Sequence, residues 1–249
     1  MSELSISVVI PCYPPHITYL PDVIKNILNQ SELPDEIIIA VSEINPTESQ
    51  ELELQLNSLI ATSEKQIKMT VAGTIVPCFA GINRNRGACL ANGDYIMFMD
   101  SDDLYHRQKI EITKKIIQKY KPNLILHDYH YLDSMLDTEI NLEQIQIVLN
   151  DTIYHNTFGN PPMRYFDKEQ KQDAYILLST VVNIHHGVVT VAKSVLNVVR
   201  YTARPKGQDA LFDRDVLWYV GNVVACDAKL MLYKPTTECR NKMMLSSKM

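Results

Sequence analysis

The sequence predicts an α/β fold: a mostly parallel, doubly wound mixed sheet flanked by helices, in a single domain with one irregular insertion. Three observations carry this expectation. Short runs rich in β-branched residues recur at Ser5–Ile10, Glu36–Val41, Ile67–Val71, Tyr95–Met99 and Leu124–His127, and strands buried on both faces read as such continuous apolar runs. Between them lie segments whose apolar residues repeat at helical spacing, and strict strand–helix alternation implies parallel strands joined by crossover helices. The length of 249 residues fits one large domain with an extension better than two independent cores.

Each element has its own local reason. Pro11 ends the first run and opens a loop. Leu20, Val23, Ile24, Ile27 and Leu28 then form one helical stripe, with Pro21 in a position suited to a first turn. Asn45-Pro46-Thr47 is a helix start signal ahead of Leu52, Leu56, Leu59 and Ile60. Ala80–Asn92 reads as a third helix, where Gly81 and Gly87 suggest close backbone approach. Arg107–Tyr120 is a charged helix carrying Ile110, Ile116 and Ile117. From Tyr129 to about Gln172 the chain is polar and turn-rich, with partial helix expected near Leu142–Leu149, and long irregular segments of this kind often serve as lids or binding loops. After it, Val188–Val191 predicts a strand, Lys193–Tyr201 and Gln208–Val220 predict helices, and Val223–Cys226 with Leu230–Tyr233 predict a closing β-pair. Residues 1–128 and 129–233 would then be two halves of one domain, followed by a tail over 234–249.

Composition narrows the function classes. Hydrophobic residues make up 46% of the chain and charged residues 21%, as in ordinary globular proteins. A formal net charge of -5 with no Lys/Arg block argues against a nucleic-acid binder that works by phosphate neutralisation. Five scattered cysteines without a CxxC pair suggest neither a zinc knuckle nor a disulfide framework. No apolar stretch reaches the length of a membrane span, so a soluble, reduced, cytoplasmic protein is expected, with peripheral membrane association left open.

The chemistry is concentrated at Asp100-Ser101-Asp102-Asp103, directly after the apolar run Tyr95–Met99. In open α/β sheets ligands bind beyond the carboxyl ends of the strands, which is where these carboxylates would stand. Carboxylates so close repel one another unless a hard divalent cation, usually completed by substrate phosphates, joins them. The same residues could equally form an acidic turn capping the following helix, since Asp is a favoured N-cap.

Four ordered segments resemble the family 2 inverting glycosyltransferases of GT-A (Rossmann-like) fold. They are Val8-Val9-Ile10-Pro11-Cys12-Tyr13, with Asn29–Ile39 following; Arg84-Asn85-Arg86-Gly87, with Ala91-Asn92-Gly93-Asp94-Tyr95-Ile96; the acidic tetrad, which is similar to the family's DxD motif; and Gly207-Gln208-Asp209. The resemblance covers Ile6–His127 well and Gly187–Tyr233 loosely. It implies a nucleoside-diphosphate-sugar donor, with a UDP-sugar favoured, a divalent cation (Mn2+ or Mg2+), and a glycan, protein or small-molecule acceptor. It implies Asp102 as metal ligand and Asp100 as ribose contact near the metal. Asp103 shares the metal or begins a helix. Pro11, Tyr13, Ser42 and Arg84 would line the nucleotide site, and Asp209 would be the general base that takes the acceptor proton opposite the leaving diphosphate. The alternative readings are a surface arginine for Arg84 and a helix N-terminal carboxylate for Asp209. Arg204 and Lys206 are candidates for a loop closing over the diphosphate, and His185 and His186 for the acceptor pocket, with exposed charges and a polar strand entrance as the simpler readings.

Two departures bear on the donor. The segment Ala40-Val41-Ser42-Glu43 lacks the paired aspartate with which many members contact the base, and Pro14-Pro15 stiffens the opening turn. Two other readings compete: a non-catalytic sugar-nucleotide or glycan-binding module of the same fold, and a sugar nucleotidyltransferase. The second is disfavoured because Ser5–Pro15 contains no glycine for a phosphate loop.

Overall fold

The computed structural model describes residues 4–61, 66–131, 135–145, 147–149 and 189–234. They form one nine-stranded sheet in the order β3-β2-β1-β4-β8-β6-β9-β5, with β7 also paired to β9. The strands are β1 (Ile6–Cys12), β2 (Glu36–Ser42), β3 (Lys68–Thr74), β4 (Tyr95–Phe98), β5 (Leu104–Tyr105), β6 (Leu124–His130), β7 (Ile147–Leu149), β8 (Thr190–Ala192) and β9 (Val223–Leu232). The helices are α1 (Leu20–Leu28), α2 (Pro46–Ile60), α3 (Ala80–Leu90), α4 (Lys109–Tyr120) and α5 (Gln208–Tyr219). β1, β2, β3, β4, β6 and β9 run in one direction, and β5, β7 and β8 oppose them. The sheet is therefore mixed and mostly parallel.

Every residue of β1 and β2 is buried, so the sheet centre is covered on both faces. α1 contributes the stripe Leu20, Val23, Ile24 and Ile27, all buried. α2 starts at a capping box: Glu48 N–H donates to Asn45 Oδ1 (3.0 Å), and Asn45 N–H donates to Glu48 Oε2 (2.7 Å). α3 lies against β1 and β2. A Cβ at Gly87 would stand 2.5 Å from Val9 Cγ1, so glycine is what lets this helix approach the strand. Because β1 pairs in parallel with both β2 and β4, with Cys12 opposite Val41 and Val9 opposite Phe98, the chain after each of these strands emerges at the same sheet edge.

Several sequence expectations change. Lys193–Tyr201 is no helix: one 3-10 turn spans Lys193–Asn197. The chain beyond it is held by Asn85, whose side chain donates to Tyr201 O (2.8 Å) and accepts from Tyr201 N–H (3.0 Å). Leu142–Leu149 holds a 3-10 turn, Leu142–Gln144, followed by β7, whose edge pairs antiparallel with β9 in place of helix. The expected closing β-pair is one ten-residue strand, β9: Asp227 and Lys229 are the exposed members of an alternating pattern and do not form a turn. The two-residue strand β5 had no sequence signal. The remainder of the insertion, His185, His186 and the tail beyond Lys234 lie outside the described residues.

Candidate active site

The shared edge after β1, β2 and β4 gathers the acidic tetrad, the opening turn and the base-side segment predicted from sequence. Asp100 and Asp102 are partly exposed there, while Ser101 and Asp103 are buried. Desolvation and the neighbouring Asp100 charge push the Asp102 carboxyl up to about 6. Two adjacent carboxylates of this kind call for a positive partner. Among the described residues no three His, Cys, Asp or Glu side chains gather into a metal-binding group by themselves. Asp100 and Asp102 bring two carboxylates to one turn, oxygen chemistry of the kind that hard cations take.

Asp103 faces inward. Its Oδ1 accepts the backbone N–H of Lys234 (2.9 Å), and the buried Lys109 lies close enough for its charge to act on the carboxyl. Burial and the charges of Asp100 and Asp102 push Asp103 well up, against the pull of Lys109. It does not cap the next helix. Gln108 occupies the N-cap of α4, without a side-chain cap bond.

Arg84 is not a surface arginine. Its side chain is 0% exposed and its Nη2 donates to Asp100 Oδ1 in an ion pair. Its guanidinium lies 5.4 Å from the centre of the Tyr201 ring, and Tyr201 stacks on Phe212 of α5 with centroids 4.1 Å apart. α3 carries Arg84 on its buried side together with Gly81, Asn83, Gly87 and Ala88. Asn83 Nδ2 donates to Cys12 O (3.0 Å), fixing the end of β1. Arg86 donates to the carbonyls of Val41, Ala72 and Gly73, tying the ends of β2 and β3.

Pro11 is buried at the end of β1, and Ser42 is buried at the end of β2 with its Oγ unpartnered among the described residues. Glu43, next to it, adopts φ 61, a left-handed turn uncommon for glutamate. Tyr13 is 43% exposed, and Pro14-Pro15 begin a 3-10 turn, Pro14–Tyr19. His16 in that turn gave no motif signal, yet its Nδ1 lies 3.0 Å from Ser101 Oγ and 3.9 Å from Asp102 Oδ1. Its ring stands between those of Tyr13 (4.4 Å) and Tyr19 (5.4 Å). Burial lowers the His16 pKa against the pull of Asp100, favouring the neutral imidazole.

Asp209 stands in the first turn of α5, which follows Gly207 at φ 68, a conformation natural to glycine. Gln208 fixes that turn: Gly81 N–H donates to Gln208 Oε1 (2.7 Å) across 127 residues of sequence. The charges of Arg84, Asp213, Asp209 and Asp100 all bear on the buried Tyr201 hydroxyl, whose pKa desolvation pushes well up. Arg204 and Lys206 are exposed in the segment before α5.

Comparison with known proteins shows the family and the fold. The family description Glycosyl transferase family 2 matches residues 7–168. An uncharacterized glycosyltransferase of Rickettsia conorii is 34% identical over 119 residues, 48% of this chain and 18% of that protein. Among solved structures, S. aureus TarS in complex with UDP-GlcNAc superposes with TM-score 0.62 at 14% identity, covering 96% of this chain and 61% of that one. The Pyrobaculum calidifontis mannosyltransferase PcManGT, in complex with GDP-Man and Mn2+, gives TM-score 0.63 at 10% identity, covering 99% and 62%. The neighbours share the GT-A fold, and the chain spans less than two thirds of the length of each of these proteins. Among the described residues no helix is long and apolar enough to cross a membrane.

Proposed function

The chain belongs to glycosyl transferase family 2, and from that membership we propose that it moves a sugar from a nucleoside-diphosphate sugar to a hydroxyl acceptor with inversion, with a UDP-sugar as the favoured donor. The observation that carries the proposal is that α3 ties the two sides together: its Arg84 pairs with Asp100 beyond the end of β4, and its Gly81 N–H donates to Gln208 Oε1, next to Asp209 in the first turn of α5. Donor-side and acceptor-side carboxylates would then face one site, as an in-line displacement requires.

Residues 1–128 would form the nucleotide-sugar half and residues 129–233 the acceptor half. Asp102 and Asp100 would hold a divalent cation, Mn2+ or Mg2+, which supplies electrostatic stabilisation of the departing diphosphate. Asp103, buried and bonded to the Lys234 N–H, keeps the turn in shape. Arg84 acts through Asp100, fixing its carboxylate. Tyr13, Pro11 and Ser42 would border the nucleotide, Tyr13 from the exposed turn and the buried Ser42 from the end of β2. Asp209 takes the acceptor proton, and Gln208 holds the turn that aims it.

The test is nucleoside diphosphate release from UDP-glucose, UDP-GlcNAc and GDP-mannose over a panel of hydroxyl acceptors, with Mn2+ or with a chelator. Asp209→Asn should abolish turnover and leave UDP affinity within about twofold, because the proposed base touches the acceptor and not the nucleotide. Loss of both together would defeat the base assignment. Saturable donor binding without release under any acceptor would favour a non-catalytic module.

A further inference from the structure

Between the end of β4 and the first turns of α5 lies a set of buried polar atoms that the proposed reaction leaves unused. Arg84 gives Nη2 to Asp100, but its Nε and Nη1 meet no hydrogen-bond acceptor among the described residues. Asp213, one turn beyond Asp209 on α5, is 1% exposed, and neither of its carboxylate oxygens is hydrogen-bonded there. The Tyr201 hydroxyl is buried and unpartnered as well. A guanidinium offers only donors and an ionised carboxylate only acceptors, so the two orphaned sets are complementary.

The aromatic packing brings them together. Arg84 lies over Tyr201, Tyr201 stacks on Phe212 of α5, and Arg84 and Asp213 both lie near enough for their charges to act on the buried Tyr201 hydroxyl. Buried polar groups in folded proteins are nearly always satisfied, and where direct contact is lacking an ordered internal water with two or more polar partners does so.

We propose that Asp213 is a positioning residue whose carboxyl oxygens hold the Nε and Nη1 side of Arg84 through ordered water shared with the Tyr201 hydroxyl, so that Arg84 is poised between Asp100 and Asp213. The inference rests on the donor-site reading above. Its consequence is positional: an Arg84 held from both sides keeps the Asp100 carboxylate fixed in the turn. Burial and the Asp209 charge push the Asp213 pKa well up, and Arg84 is the group that opposes that rise.

The experiment measures Mn2+ binding in the presence of UDP, from the electron paramagnetic resonance signal of free Mn2+, for the wild type, Asp213→Asn and Asp213→Glu. Removing a partner that orients a metal ligand weakens metal affinity by about 10-fold or more. Asp213→Asn should show that loss, and Asp213→Glu should recover part of it. Unchanged affinity in folded Asp213→Asn overturns the proposal. Independently of function, a urea-denaturation double-mutant cycle of Arg84→Gln with Asp213→Asn should be non-additive, and additivity overturns the pairing. Should either variant fail to fold, the cycle is run with the charge-conserving Arg84→Lys and Asp213→Glu under the same criterion. If the wild type binds no Mn2+ with UDP or with GDP, the donor-site reading fails, while the stability cycle still decides whether Arg84 and Asp213 act as a pair.

Discussion

Replacing Gln208 by alanine should destabilise the protein through a helix on which Gln208 does not lie. The first backbone N–H groups of a helix lack intrahelical acceptors. α3 begins after Phe79, which has no side-chain acceptor to offer, and the buried Gly81 N–H is satisfied by Gln208 Oε1 at 2.7 Å. Truncation leaves that donor orphaned, which costs about 1–3 kcal/mol. Gln208 is itself 4% exposed, so a small cavity adds to the loss. Gln208→Ala should therefore lower the unfolding free energy by roughly 2–3 kcal/mol, with the m-value unchanged, in urea titrations followed by circular dichroism. Gln208→Glu keeps an acceptor at the same reach, but its carboxylate would be buried beside Asp209, a cost that the α3 macrodipole offsets only in part, so it should not exceed the wild type in stability. Turnover should fall in Gln208→Ala by more than stability accounts for, because the residue that anchors the first turn of α5 also aims Asp209. A loss below about 0.5 kcal/mol for Gln208→Ala would refute external capping of α3 by α5.

Other consequences are equally direct. Gly87→Ala gains about 1 kcal/mol of helix propensity but drives a Cβ into Val9 Cγ1, an overpacking cost of about 1–3 kcal/mol, so a net loss is expected. Adding Val9→Ala should make the double variant less unstable than the sum of the singles, read in the same titration. Glu36 accepts hydrogen bonds from Ser7 Oγ (2.7 Å), from the backbone of Asn92 and Gly93, and from Asn92 Nδ2. Burial raises its pKa, and these bonds outweigh burial and lower it below the ordinary 4.5. A depressed carboxylate adds stability above its unfolded pKa and loses it as pH falls through the folded value, so Glu36→Gln should flatten the acid limb of a Tm-versus-pH curve below about 4.5; an unchanged slope would contradict the network. Burial pushes the Cys12 and Cys226 thiols up to about 12, whereas Cys89 is exposed. Iodoacetamide on the native protein near neutral pH should label Cys89 first and spare Cys12 and Cys226, as peptide mass spectrometry would read, and equal labelling of Cys12 would show that β1 opens readily.

What could be read from sequence was what local chemistry decides. β1, β2, α1 and the start of α2 at Asn45 follow from periodicity and start signals alone, because a continuous apolar run or stripe marks a segment as buried whatever it pairs with, and the Asn45–Glu48 bonds close within three residues. α3 is different. Its buried side is Gly81, Asn83, Arg84, Gly87 and Ala88, so it carries no apolar stripe, and only the resemblance in Arg84-Asn85-Arg86-Gly87 marked it. Lys193–Tyr201 looked helical because Val195, Leu196 and Val199 repeat at the right spacing, but the side chain of Asn85 takes both backbone groups of Tyr201 and keeps that stretch out of a helix. The burial of Arg84 and Asp213, the place of His16 beside Ser101 and the bond from Gly81 to Gln208 depend on partners distant in sequence. No window of sequence contains both ends of such a contact.

That distribution bears on why the polar atoms are there at all. A buried ion pair is poor evidence for stability, since desolvation offsets most of the attraction and well-packed apolar residues of similar volume often serve as well. If Arg84 and Asp213 existed for the fold, replacing both together, as Arg84→Met with Asp213→Leu, would be neutral or stabilising and would leave the cleft as competent as before. If they exist for the cleft, the same double variant should stay folded, with an unfolding free energy from urea titration within about 1 kcal/mol of the wild type, and yet bind Mn2+ with UDP at least about tenfold more weakly, because Asp100 would have lost the group that fixes its carboxylate. Stability and cation affinity would then separate in one molecule. Equal retention of both would assign the buried pair to packing alone.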